Sequence, residues 1–207
     1  MTLVMPQSAG EYESGHLAYL RSAGLGPPRA TMLTALEAFA REGRGPGHAV
    51  DLGCGVGRDT LPLLERGWRV TAIDRQAEAL AELHQRAGPT ERLATIAGRF
   101  EDVAWELCDL VNASFALPLC PPDRFAELWE RIVAGLRPGG RFAGQFYGPA
   151  DSWASRPGVT IHRRAEVEAL FAGWSIERLD EEHADTTTPH DKPKHWHIWH
   201  VVAKTPG

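Results

Sequence analysis

The residues of this chain that could do chemistry are a run of glycines behind an apolar stretch, two acids at the ends of such stretches, and a histidine-rich terminus. In AVDLGCGVGRDT, residues 49–60, an apolar run leads into Gly53, Gly55 and Gly57 and then into a helical segment. Glycine permits the tight turn and lets a ligand lie against the backbone, while the following helix start offers unpaired N–H groups to an anion. Asp51, two residues before Gly53, has little use beside a pyrophosphate and suits a cationic ligand. Asp74 closes the next apolar stretch, WRVTAID, and an acid about 20 residues beyond a glycine turn is the ribose-binding position of a nucleoside site. In KHWHIWHVVAK, a strand would put His195, His197 and Trp199 on one face and Trp196, Ile198 and His200 on the other. The HxH pair has metal-ligand spacing, with His190 or Asp191 as a further donor, but no CxxC or HExxH accompanies it, so no metal is expected.

Short apolar runs alternating with amphipathic segments must position these groups. Strands are expected at Ala49–Leu52, Trp68–Ile73, Leu93–Ala97, Asp109–Ala113, Arg141–Phe146, Trp174–Leu179 and His195–Ala203. Helical stretches at 58–66, 76–87, 101–107 and 123–135 can carry the crossovers that keep the first five strands parallel. Residues 180–193 are polar and rich in breakers, which predicts a connection joining the last two strands as an antiparallel hairpin. Upstream, Glu11–Ala40 reads as two helices broken at Gly24–Pro28. The pattern is that of an α/β fold with a doubly wound, mostly parallel sheet.

With 207 residues the chain fits one core plus an appendage, expected as an N-terminal helical lid over 1–42 and a main domain over 43–207. A net charge of -5 gives no basic footprint, so a small molecule rather than nucleic acid is the expected partner, with the chain a monomer or homodimer. No apolar run is long enough to span a membrane, and the start lacks a basic, then apolar, leader pattern. A cytoplasmic location follows as an expectation, with three unpaired cysteines. Near-exclusive use of arginine over lysine, the latter only at 192, 194 and 204, suggests a GC-rich bacterial source.

The chain resembles the class I S-adenosylmethionine-dependent methyltransferases. VDLGCGVG is similar to their first motif, VTAID to the second, AGRFEDV (97–103) to the third, CDLVNASFALPLCPP to the fourth, and GLRPGGRF (135–142) to the segment after it. The resemblance covers about residues 29–203 and implies a Rossmann-like sheet in the order 3-2-1-4-5-7-6 with strand seven antiparallel. Its implied cofactor is S-adenosyl-L-methionine, held by Asp51, Gly53, Cys54, Gly55, Asp74, Arg75, Phe100, Glu101, Asn112, Ala113 and Phe115. Arg99 stands where many members carry Asp and cannot accept the adenine amino hydrogens, leaving Phe100, a backbone amide or Glu101 to define that pocket. A looser similarity to the tellurite-resistance type implies Arg29 beside the cofactor's carboxylate and Arg58 in the pocket.

The expected activity is methyl transfer to an O, N or S nucleophile of a small molecule. Two alternatives are a non-catalytic cofactor-binding module and a tellurite- or thiol-detoxifying methyltransferase. His162, His195 and His197 are the candidate bases, and Tyr12, Tyr19, Tyr147, Trp153 and Trp196 the candidate acceptor contacts. Trp153 stands out because the breaker-rich loop 148–158 has no regular element for a buried tryptophan to serve.

Overall fold

A computed structural model of the chain describes Arg21, Gly24, residues 26–187 and residues 193–207. In chain order the elements are α1 (Ala30–Arg41), β1 (His48–Leu52), α2 (Thr60–Glu65), β2 (Arg69–Asp74), α3 (Ala77–Ala87), β3 (Leu93–Ala97), β4 (Cys108–Ala113), α4 (Pro122–Gly135), β5 (Leu136–Tyr147), α5 (Arg164–Leu170), β6 (Ser175–Thr187) and β7 (Pro193–Lys204). They form one seven-stranded sheet, β3-β2-β1-β4-β5-β7-β6. The first five strands pair in parallel, and β7 runs antiparallel to both β5 and β6.

Every residue of β1 is buried, as expected for a central parallel strand covered on both faces. Alternation along the strands sorts the core into two layers. Val50, Leu52, Val111, Phe142, Phe146 and Val201 meet Phe125, Leu128, Trp129 and Ile132 of α4 on one face. On the other, Ala49, Leu110, Ala143 and Val202 meet side chains of α1, α2 and α3. Met32, Ala35 and Phe39 of α1 are among them, so this helix is a layer of the core rather than part of an appended lid.

Three expectations change. Residues 101–107 do not form a helix: a turn at Arg99–Asp102 leads into extended chain, and the carbonyls of Glu101 and Val103 accept hydrogen bonds from the Arg131 guanidinium of α4. Side-chain donors from a neighbouring helix replace the bonds a crossover helix would have made. The polar stretch from Asp180 to Thr187 is strand, and β6 and β7 pair from Ser175↔Lys204 to Thr187↔Pro193 with one register shift between Ile176 and Arg178. On an edge strand both faces tolerate polar residues, and this one is held by cross-strand pairs: His200 to Glu182 at 2.7 Å, His195 to Asp185 at 2.8 Å and Trp196 Nε1 to Thr186 at 2.7 Å. β5 also begins five residues early, at Leu136, with a register shift against β4.

Arg141 of β5 ties the edge to the helical layer. Its guanidinium is fully buried and donates to Glu177 of β6 at 2.8 Å and to Glu42 at the end of α1 at 3.1 Å. Those bonds, reinforced by Lys204, hold the Glu42 carboxyl at about 2, well below the ordinary carboxylate range.

Candidate functional site

The glycine turn follows β1 directly. Gly53, Gly55 and Gly57 all have positive φ (69°, 53° and 94°), and a Cβ on Gly53 would come within 2.9 Å of the Ala116 Cβ. Only glycine takes such a path at no steric cost. Asp74, at the end of β2, is buried and grips this turn: Gly55 N–H donates to its Oδ2 and Gln76 N–H to its Oδ1, each at 2.9 Å.

A second network lies at the ends of β1 and β4. Thr60 Oγ1 donates to Asp51 Oδ2 at 2.5 Å, and the Asn112 amide reaches both Asp51 (2.8 Å) and Asp59 (3.1 Å). Asp59 in turn accepts the Arg29 N–H at 2.8 Å, which couples the start of α1 to the turn. Burial and the Asp59 charge push Asp51 up to about 7, opposed by its hydrogen bonds to Thr60 and Asn112. Among the described residues no basic side chain forms an ion pair with Asp51 or Asp59, so the two acids concentrate negative charge that a cationic group would relieve.

Phe115 follows β4 with φ 56°, a strained conformation for a bulky residue, held by its N–H to Gln145 Oε1 at 3.0 Å. Gln145 Nε2 donates onward to Thr31 of α1 at 2.8 Å. The Arg29 guanidinium lies 4.3 Å from the Phe115 ring centroid. From Phe115 an aromatic cluster continues to Trp196 (6.0 Å), Tyr147 and Trp153, the last two 5.8 and 5.7 Å from Trp196. At its centre sits the Lys194 ammonium, 4.1 Å from the Trp196 ring and 4.8 Å from Trp153, paired with buried Asp151. Burial lowers the Lys194 pKa.

Several expected residues lie elsewhere. His162 packs at an angle against Phe125 (4.5 Å) and edge-on to Phe146 (5.3 Å), its backbone N–H donating to the carbonyl of Tyr147 at the end of β5, and burial lowers its pKa. His195 and His197 occupy the face of β7 opposite Trp196, with His183 and Glu181 of β6. The reason is the alternation of a strand: neighbours of Trp196 necessarily point away from its aromatic partners. Arg58 donates to the Pro27 carbonyl at 2.7 Å, and Arg75 is exposed. Glu101 is buried and its carboxylate is taken by Arg99 at 2.6 Å, with Phe100 packed beside the main core. Cys54 and Ala113 are buried at the turn and at the end of β4. Tyr12 and Tyr19 lie outside the described residues. Asp59, Gln145, Asp151 and Lys194 escaped sequence reasoning, although a lysine in so arginine-biased a chain was a signal: a compact, titratable cation was kept where a guanidinium is otherwise the rule.

Residues 49–140 match the family described as "Methyltransferase domain", and the strand order is the one that the resemblance to the class I S-adenosylmethionine-dependent methyltransferases implies. Among solved structures the chain is similar to TehB from Haemophilus influenzae, with a TM-score of 0.67 and 16% identity, covering 81% of this chain and 60% of that one. It also matches a 1,6-didemethyltoxoflavin-N1-methyltransferase from Burkholderia thailandensis, with a TM-score of 0.64, 24% identity and coverage of 99% and 94%. A carboxy-S-adenosyl-L-methionine synthase from Citrifermentans bemidjiense is 34% identical over 101 residues, 45% of this chain. The chain spans about two fifths of the length of that relative, 41%.

Proposed function

We propose that this protein transfers the sulfonium methyl of S-adenosyl-L-methionine to an O, N or S nucleophile on a small, planar acceptor. The observation that carries the reading is the coincidence at one sheet edge of the buried acids Asp51 and Asp74, the glycine turn and the aromatic cluster of Phe115, Tyr147, Trp153 and Trp196. Asp74 would exchange its backbone partners for the ribose hydroxyls, and Asp51 would answer the cationic methionine end. When bound, the cofactor supplies an electrophilic methyl for in-line displacement. This chain's own residues then orient and exclude: the strained Phe115 and the rings behind it stack a flat acceptor and keep water away. An acceptor that is already ionised needs no base, and the Lys194–Asp151 pair beneath the rings holds them in place.

The expected setting is the bacterial cytoplasm, as a monomer or homodimer without nucleic acid. Calorimetric titration with S-adenosylhomocysteine tests the cofactor reading, and methyl transfer from labelled cofactor to a panel of planar phenols, thiols and nitrogen heterocycles tests the acceptor class. Binding without transfer to any fraction of a cell extract would instead mark a non-catalytic module.

A further inference from the structure

A group of side chains on the opposite face of β7 from the aromatic cluster has no part in that reading. His183 and His197 are direct cross-strand partners whose rings stack with centroids 4.2 Å apart. Both turn Nε2 toward one oxygen: Glu181 Oε1 is 3.2 Å from His183 Nε2 and 3.1 Å from His197 Nε2. The His197 side chain is only 8% exposed. Its Nε2 is off the line of a hydrogen bond to Glu181, so this buried nitrogen has no hydrogen-bond partner among the described residues. A buried polar atom left in this way costs about 1–3 kcal/mol unless something else satisfies it.

We propose that Glu181, His183 and His197 bind one divalent transition-metal ion, zinc foremost. Two imidazole nitrogens and a carboxylate oxygen are borderline donors suited to that ion, and bonds of about 2.0–2.2 Å place neighbouring ligand atoms roughly 3–3.5 Å apart. The Glu181 contacts already have that spacing, and all three donor atoms lie within 4.8 Å of one another. An outer shell is also in place: His183 Nδ1 is 3.2 Å from His195 Nε2, and His195 Nδ1 is 2.8 Å from Asp185 Oδ1. A histidine that ligates through one nitrogen commonly fixes its other nitrogen through such a chain ending on a carboxylate. The HxH pair of the sequence thus divides its labour, His197 ligating and His195 orienting His183.

One existing bond must be exchanged. Ala150 N–H donates to His197 Nδ1 at 3.1 Å, and ligation through Nε2 puts the ring proton on Nδ1. Metal loading therefore releases the Ala150 amide and loosens that tie between the hairpin and the turn that carries Asp151 and Trp153. Because Glu181 and His183 are exposed, the remaining coordination positions face solvent.

The test uses tag-free, metal-stripped full chain without cofactor, so that it stands apart from the methyl-transfer reading. Calorimetric titration with zinc alone is expected to show one saturable equivalent, and cobalt in its place the visible bands of a histidine–carboxylate site. Glu181→Gln and His183→Ala, both at exposed edge positions, should each weaken zinc at least tenfold with the unfolding temperature of the metal-free protein kept. His195→Ala should weaken it by about 10–100-fold. His84→Ala, a histidine bonded to Thr95 outside the cluster, should leave it unchanged. No saturable binding, binding undiminished in the Glu181→Gln/His183→Ala double variant, or an equal loss in His84→Ala overturns the site.

Discussion

The middle of the sheet and its β6–β7 edge are built on different plans. At β1, β2 and β4 the function-bearing groups sit at strand ends or just beyond them, the glycines after β1 and Asp74 closing β2, so each falls within a short stretch of sequence even where Gly55 meets Asp74 and Asn112 meets Asp51 across strands. At β6 and β7 almost every contact crosses between strands, His183 to His197, His195 to Asp185, Glu182 to His200. Local construction leaves a motif in the sequence, whereas cross-strand construction leaves only a register.

The comparison breaks most sharply at the turn. Gly55→Val imposes a β-branched residue at φ 53°, costing about 1–2 kcal/mol of local strain and filling the backbone approach. Binding of S-adenosylhomocysteine by calorimetry is expected to disappear while the circular dichroism spectrum is kept. Next in size, Asp74→Ala removes an acceptor whose charged hydrogen bonds are worth roughly 1.5–3 kcal/mol each, so affinity should fall at least about tenfold. Unchanged affinity would move the ribose site away from β2.

Asp51 sharpens the comparison through pH. Its folded value, about 7, lies above its ordinary 3.8, so its contribution to stability is fully present below about 4 and is lost as pH rises toward 7. A cationic ligand favours the ionised form, so cofactor affinity should rise over the same upper range with proton release. Asp51→Asn should flatten both profiles, measured by thermal unfolding and by titration at pH 6 and 8. The smallest effect belongs to the edge. Glu42 is depressed to about 2 from 4.5, so its contribution is present above about 4.5 and lost as pH falls toward 2. Glu42→Gln should reduce the acid dependence of the unfolding temperature and leave cofactor affinity untouched. An effect on affinity would mean that the Arg141 clasp transmits to the turn.

Seven strands, their order and the antiparallel last strand were readable because burial on both faces produces apolar runs and because the motif order resembles a known sheet. Asp180–Thr187 was misread because polar composition signals a loop only where no strand lies alongside, and here each of these residues has a register partner on β7. The segment 101–107 was misread because the donors that satisfy it, Arg124 and Arg131, lie more than 20 residues away on α4.

By itself the sequence determined what depends on a residue and its near neighbours: glycines where φ is positive, acids at strand ends, helices with one apolar stripe. Tertiary structure alone decided which side chains share a face across strands. It put Lys194 inside three aromatic rings, and paired His197 with His183 rather than with His195. The physical reason is that a strand's period of two assigns each residue a side, but not the residue it will meet there. Only the register of the neighbouring strand supplies that partner.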